Sequence, residues 1–228
     1  MESEYINPDK LKFILDMMVL DDANAVRVSL HTGLRIGDVL ALKKNDVDKD
    51  GNVRTVCAKT GKPFAGAIPP KLAKDIRFRA GNSDWLFPSP SPRRKDKPRT
   101  RQAVWHNIKK AAKLCAVPRN VSPHTARKVY AVEKFKKDGI TEAQNALQHD
   151  RLQTTLIYAF SDQIAAAKPR DQHGQRIPKK TETTPAAEVV AARSPIRSAD
   201  EVEQILDRFY TAFGGREAFA HALAEFAG

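Results

Sequence analysis

Several arginine, histidine and tyrosine residues stand at turns or on helix faces, where their side chains could act on an anionic group. Arg35 follows a glycine-containing turn and precedes a predicted helix, so the helix start and the guanidinium both favour an anion there. His124 and Arg127 are three residues apart and share one helix face, while Tyr158 lies nine residues after His149. Taken singly, each has an ordinary structural interpretation: a salt-bridged arginine, a capping histidine or a core tyrosine.

Other common catalytic signatures are missing from the sequence. It contains no G-x-x-x-x-G-K phosphate-binding loop, no H-E-x-x-H or C-x-x-C metal motif and no G-x-S-x-G nucleophile elbow. The two cysteines, Cys57 and Cys115, cannot form a disulfide framework or a cysteine-rich zinc site. The sequence therefore predicts no metal and no cofactor.

The elements that must position these residues are mostly helices. Asn7-Pro8-Asp9 is a helix start, and Gly33 can end a helix in a left-handed conformation. Helices are predicted over 10–20, 23–31, 36–42, 100–116, 123–138, 141–147 and 152–160. Strands are predicted over 53–58 and 64–68, with a third short strand over 85–87. The predicted fold is mainly α with a small antiparallel β-sheet, an α+β fold.

The length of 228 residues allows one large domain with an appendage. We expect a catalytic domain over 1–168, a proline-rich polar linker over 169–198 and an acidic helical tail over 199–228. The sequence contains no run of about 18 apolar residues, so it predicts no membrane-spanning helix. The acidic, polar N-terminus is unlike a secretory signal, and the expected compartment is the cytoplasm of a bacterial or phage-infected cell.

The net charge of +12 indicates a polyanionic partner, most often nucleic acid, although a merely soluble basic surface would have the same charge. The last 30 residues carry six acidic and two basic side chains, so the rest of the chain carries +16. A proline-punctuated loop over 88–101 is rich in arginine and lysine. It is either a flexible solvated loop or a strap along a phosphate backbone.

Four motifs, in this order and at these spacings, resemble the tyrosine recombinase (phage integrase) family. Thr32-Gly33-Leu34-Arg35-Ile36-Gly37-Asp38-Val39-Leu40-Ala41-Leu42 is similar to the first family motif, and Lys59-Thr60-Gly61 to the hairpin that carries the family lysine. Ser122-Pro123-His124-Thr125-Ala126-Arg127 is similar to the H-x-x-R motif. Leu147-Gln148-His149, followed by Tyr158, resembles the segment from the last histidine to the nucleophile.

The resemblance covers roughly residues 5–168 and has three departures. Gln148 stands where the family usually has glycine, and Thr125 stands where an acid is frequent. Family members usually carry a separate helical DNA-clamping domain, but only 34 residues precede Arg35. The chain is therefore expected to be a catalytic fragment or a compact member, as some DNA invertases of the family are.

The resemblance implies phosphoryl transfer without metal or ATP. Tyr158 would attack a scissile DNA phosphate, leaving a 3′-phosphotyrosyl link and a free 5′-hydroxyl. Lys59 would protonate the leaving 5′-oxygen, with Lys62 as the alternative.

The remaining residues of the set would act on the phosphate and the nucleophile. Arg35 and Arg127 would bind the non-bridging oxygens and stabilise the transition state. His124 would be a base toward the tyrosine hydroxyl or a phosphate donor, and His149 would hydrogen-bond the phosphate. Asp38 would brace the arginine and its turn.

The partner that the resemblance implies is double-stranded DNA with specific recombination sites, bound by a homo-oligomer, a tetramer on DNA. Candidate DNA-binding residues are Arg93, Arg94, Lys95, Arg99, Arg101, Lys109 and Lys128. Two alternatives stay open: a type IB topoisomerase-like enzyme that relaxes supercoils as a monomer, and an accessory DNA-binding protein that keeps the fold without turnover.

Overall fold

The computed structural model of the chain describes residues 3–94, 96–149 and 152–162. The expected linker and acidic tail, together with Lys95, lie outside the described residues. The helices are α1 (Pro8–Asp16), α2 (Leu20–Thr32), α3 (Ile36–Leu40), α4 (Pro70–Arg79), α5 (Arg101–Leu114), α6 (Pro123–Leu147) and α7 (Leu152–Ala159). The strands are β1 (Asn52–Val56) and β2 (Pro63–Ala67), and short 3₁₀ turns cover Lys44–Asp46 and Pro92–Arg94.

Helix α2 forms the centre of the domain, and α1, α3, α4, α5 and α6 all pack against it. Its side chains are buried on most sides, and even Asp22, Asn24 and Ser29 are shielded from solvent. A helix that is buried all round must satisfy its polar groups internally. Accordingly, Ser29 Oγ donates to the carbonyl of Leu34 at 2.6 Å and thereby shapes the turn that leads to Arg35.

Two helix starts are capped by the side chains that the sequence predicts. The side chain of Asn7 accepts from Asp9 N at 2.8 Å, and Thr100 Oγ1 accepts from Ala103 N at 3.1 Å. The predicted first helix over 10–20 is too long, because α1 ends at Asp16 and α2 begins at Leu20. Met17 N bonds back to Ile14 O at 3.2 Å, which tightens the last turn and ends the helix.

The sheet consists of one antiparallel pair, in which Asn52 lies opposite Ala67 and Val56 opposite Pro63. The α+β fold with a small antiparallel sheet is confirmed. The predicted third strand over 85–87 is wrong, since Trp85 makes a single bridge to Lys43. The chain after Lys43 coils into a 3₁₀ turn, and Pro88 has no N–H with which to extend a ladder.

Helix α6 is interrupted at Gly139, whose φ of 84° and ψ of −179° are not helical. The two predicted helices, 123–138 and 141–147, correspond to the two halves. The second half ends at Gln148, which has φ 51° and ψ 44° and turns the chain toward α7. Within the described residues, no helix is long and apolar enough to cross a bilayer.

Candidate active site

The Tyr158 hydroxyl lies in hydrogen-bond contact with Nε2 of His124. The two residues are far apart in sequence, and α7 meets the first turn of α6 to bring them together. Their rings meet edge to face, with centroids 5.4 Å apart. A neutral imidazole nitrogen in this position can accept the phenolic proton, so the pair is suited to activating the tyrosine oxygen.

His149 borders the other side of the Tyr158 ring, with centroids 5.0 Å apart. Arg127 Nη2 approaches His149 Nε2 at 3.1 Å, and His149 Nδ1 lies 3.2 Å from Thr155 Oγ1. A guanidinium can only donate, so Nε2 is the acceptor and Nδ1 carries the proton that it donates to Thr155. The buried Thr155 hydroxyl therefore orients His149. Sequence reasoning missed Thr155, although its place three residues before Tyr158 puts both on one helix face.

Arg127 is only 3% exposed, although arginine normally keeps its head in water. Its Nη1 donates to the carbonyl of Gly33, and its Nη2 donates to Leu147 O at 2.7 Å. Burial first, and then the nearby charge of Arg35, lower the pKa of Arg127 to about 10. The group stays cationic at neutral pH and places a positive charge in the site.

Arg35 occupies the turn between α2 and α3 as the N-cap residue of α3. Gly33 ends α2 at φ 70°, and a Cβ there would lie 2.5 Å from the ring of Tyr130. Glycine is therefore required for both its left-handed backbone and the close approach of the ring. Within the part of the chain that the structure describes, the Arg35 guanidinium has no hydrogen bond or ion pair, which leaves its donors available to an anion.

Lys59 lies in the exposed turn between β1 and β2. Two residues outside the hairpin hold this turn: Asp38 Oδ1 accepts from Ala58 N at 3.0 Å, and Gln148 contacts Thr60 and Pro63. Asp38 was expected to brace the turn that carries Arg35. In the structure the Asp38 carboxylate contacts the lysine hairpin, 20 positions away in sequence, and its bracing of the Arg35 turn stays a prediction.

The candidate DNA-binding residues differ in their exposure to solvent. Arg93, Arg94 and Arg101 are exposed, and Arg101 packs over Gly37 beside the Arg35 turn. Lys109 is half-buried, and its ammonium donates to Asn120 Oδ1.

Two of the expected DNA contacts are buried instead. Arg99 donates to Asp22 Oδ1 at 3.1 Å and to Asp21 Oδ2 at 2.8 Å. Lys128 donates to Ser3 O at 2.8 Å, with its ammonium 5.9 Å from the centre of the Tyr158 ring. Both cations are held by internal oxygen acceptors, and we leave them out of the proposed DNA-contact surface.

The described residues contain no group of three histidine, cysteine or acidic side chains with the geometry of a metal site. The free thiol of Cys57 is buried near Asp38, Arg35 and Arg127. Burial, followed by the charge of Asp38, raises the pKa of this thiol. The thiol therefore stays protonated at neutral pH.

The sequence profile described as Phage integrase family matches residues 4–163. The tyrosine recombinase XerD of Pseudomonas aeruginosa is 30% identical over 175 residues, which cover 72% of this chain and 56% of XerD. The tyrosine recombinase XerA of Thermococcus kodakarensis is 36% identical over 132 residues, 55% of this chain and 46% of XerA. The chain thus spans about half the length of these relatives.

Solved structures share the fold. The XerA recombinase aligns with a TM-score of 0.58 and 22% identity, over 75% of this chain and 68% of its own. The lambda integrase catalytic core aligns with a TM-score of 0.54 and 21% identity, over 66% of this chain and 93% of its own. A lambda integrase dimer bound to a core site gives a TM-score of 0.60 at 19% identity, over 75% of this chain and 63% of its own.

Proposed function

The chain belongs to the phage integrase family of tyrosine recombinases, and we propose that it cleaves and rejoins DNA at specific sites through a 3′-phosphotyrosyl intermediate. One observation carries the proposal: the Tyr158 hydroxyl contacts His124 Nε2 at the edge of a cluster that includes His149 and Arg127. A tyrosine that only filled the core would not need two histidines and an arginine around its polar end.

The proposed reaction begins when Tyr158 Oη attacks the scissile phosphorus and its proton passes to His124 Nε2. The bond between phosphorus and the 5′-oxygen breaks, and Lys59 gives a proton to the departing oxygen. Lys62, on the same turn, is the alternative donor. The new tyrosyl ester keeps the phosphate activated, so a 5′-hydroxyl of a second strand can reverse the step and rejoin the DNA.

Charge on the non-bridging oxygens grows in the transition state, and fixed cations stabilise it. Arg35 and Arg127 are the proposed ligands of these oxygens. Arg127 is fixed in place by Gly33 and Leu147, so it needs little reorganisation when the phosphate arrives. His149 holds Arg127 in the structure, and we propose that it hydrogen-bonds the phosphate in the DNA complex.

Exposed cations near the site extend the proposed interface. Arg93, Arg94 and Arg101 would contact backbone phosphates, which position a protein without reading sequence. We propose that the active unit is a homo-oligomer, a tetramer on two DNA sites in the cytoplasm. Structures of lambda integrase as a dimer on a core site and as a tetramer on a Holliday junction support this assembly.

A covalent-trapping experiment tests the reaction. Candidate sites come from the flanks of the encoding element and are made as nicked suicide duplexes, labelled on the strand that would stay attached. The expected result is a denaturant-resistant protein–DNA adduct in EDTA, abolished in Tyr158→Phe. Tyr130→Phe is the matched control, since Tyr130 is a half-buried tyrosine that lies against the Gly33 turn.

Three results would contradict the proposal. An adduct that persists in Tyr158→Phe would identify another nucleophile. Salt-sensitive binding by the wild type without any adduct, even when a DNA-clamping domain is supplied in trans, would favour the accessory DNA-binding alternative. Relaxation of supercoiled plasmid by the monomer, without strand exchange between two sites, would favour the topoisomerase alternative.

A further inference from the structure

Gln148 links the turn before His149 to the hairpin that carries Lys59. Its amide Nε2 donates to Pro63 O at 2.8 Å, and its Oε1 accepts from Thr60 Oγ1 at 3.1 Å. These acceptor and donor groups lie on the two sides of the same hairpin turn. A single side chain, 85 to 88 residues away in sequence, therefore spans the turn from one side to the other.

The hairpin turn has limited support of its own. Gly61 N donates to Cys57 O at 2.8 Å, and Cys57 N donates to Lys62 O at 3.0 Å, which closes the turn on itself. Outside the hairpin, Asp38 holds one end of the turn at Ala58. The side chain of Lys59 between these supports is exposed. Without the Gln148 side chain, Thr60 and Pro63 would lose their hydrogen bonds to the segment that follows α6.

The backbone at residue 148 would suit glycine better than glutamine. Its φ of 51° and ψ of 44° lie in the left-handed region, which side chains with a Cβ rarely adopt. This chain has a glutamine in an unfavourable backbone conformation. Its side chain makes two hydrogen bonds to the hairpin that glycine could not make.

We propose that Gln148 is a positioning residue that sets Lys59 against the leaving 5′-oxygen. The inference rests on the proposed function, because it needs Lys59 to be the proton donor in strand cleavage. Gln148 adjoins His149, which contacts Arg127, so its amide ties the acid-bearing turn to the phosphate-binding cluster. A displaced acid catalyses poorly even when every catalytic group is present, since proton transfer depends on hydrogen-bond geometry.

The test is Gln148→Gly, which removes the amide while relieving the backbone conformation, so the fold is kept. Cleavage is measured on two suicide duplexes, one with the natural 5′-oxygen and one with a bridging sulfur at that position. A thiolate leaves without a proton, so the sulfur duplex does not need the acid. We expect Gln148→Gly to slow cleavage of the oxygen duplex by about tenfold and to leave cleavage of the sulfur duplex unchanged.

Three matched variants accompany it. Lys59→Ala should show the same pattern more strongly, with a loss of about 10²- to 10⁴-fold on oxygen that sulfur rescues. Gln148→Asn keeps an amide and tolerates the left-handed backbone, but it is one methylene shorter and should resemble Gln148→Gly. Thr60→Val removes one of the two hydrogen bonds to Gln148, together with the 3.4 Å contact that Thr60 Oγ1 accepts from Lys62 N, and should also slow cleavage of the oxygen duplex.

A readout without DNA tests the same contact. Hydrogen exchange of the amides of Gly61 and Lys62 should be faster in Gln148→Gly than in the wild type, because the turn opens more often. Equal exchange, or equal cleavage rates of wild type and Gln148→Gly on the oxygen duplex, would overturn the inference. A similar slowing on both duplexes would also overturn it, since it would mean general damage to the site.

Failure of the proposed function would look different. If Lys59→Ala is rescued by sulfur while Gln148→Gly matches the wild type, the recombinase mechanism stands and only the positioning role is wrong. If the wild type forms no adduct on either duplex, even when a DNA-clamping domain is supplied in trans, the cleavage function itself is wrong and the positioning role falls with it.

Discussion

Arg99 and Asp22 form a buried ion pair, with 3.1 Å between Arg99 Nη1 and Asp22 Oδ1. Asp22 belongs to the central helix and has no exposed surface, while Arg99 lies near the end of the basic loop over 88–101. Asn107 also donates to the carboxylate of Asp22. The loop that presents Arg93 and Arg94 is thus attached to the middle of the core by one of its own cations.

Arg99→Ala should therefore destabilise the fold by about 3–5 kcal/mol, because it leaves the Asp22 carboxylate buried without its countercharge. Urea denaturation of the two proteins measures the difference. Arg94→Ala is the matched control, since Arg94 is exposed in the same loop. That variant should keep its stability and lower the salt dependence of DNA binding by about one phosphate contact. Equal stability of wild type and Arg99→Ala would contradict the anchoring role.

The same anchor makes stability depend on pH through Asp21. Burial would raise the pKa of Asp21, but hydrogen bonds and charge from Arg79 and Arg99 outweigh it, and the pKa is lowered. A carboxyl group with a lower pKa in the folded state stabilises the protein fully above its unfolded pKa of about 3.9. That contribution is lost as the pH falls from there through the lower folded pKa. Thermal denaturation between pH 7 and pH 2 should show a smaller acid-induced loss of stability in Asp21→Asn than in the wild type.

Thr155→Val should slow adduct formation by about tenfold with DNA affinity unchanged, because His149 loses the acceptor of its Nδ1 proton. Thr154→Val is the matched control, since Thr154 precedes it on the same helix and is only partly buried. The measurement is single-turnover cleavage of the suicide duplex alongside equilibrium binding. Parallel losses in both variants would show that α7 is disturbed as a whole.

Gly33→Ala should destabilise the fold far more than Gly61→Ala. Both glycines have positive φ, 70° and 64°, so both substitutions add a left-handed alanine at about 1–2 kcal/mol. A Cβ at Gly33 would also strike the Tyr130 ring, whereas a Cβ at Gly61 would meet nothing within 4 Å. Thermal denaturation compares the two. Similar shifts would mean that the Tyr130 ring moves aside without cost.

Local signals predicted most of the helix boundaries, whereas the residues around Tyr158 were predicted through the family resemblance of the four motifs. Asn7, Thr100 and the break at Gly139 act within one turn of the chain, so their effects can be read from neighbouring residues. Arg99 could not be placed in this way. Its sequence neighbours are cations of a basic loop, and only a partner 77 residues away shows that it is buried.

Long-range contacts also explain why the contacts of Gln148 could not be predicted and why the third strand was wrong. In sequence, Gln148 is a departure from the family pattern, and its hydrogen bonds to the hairpin depend on how α6 lies against the sheet. Residues 85–87 have the composition of a strand. Their pairing depends on whether the segment after Lys43 is extended, and that segment is coiled instead.

The interruption of α6 at Gly139 divides the proposed catalytic residues between two pieces of the protein. His124 and Arg127 stand on the first piece, which packs on α2, while His149 and Tyr158 follow the second. Gly139 leaves the helical conformation between the two pieces. Tyr158 and His124 therefore meet across the interruption, and the Arg127 hydrogen bonds to Leu147 and His149 connect the two pieces.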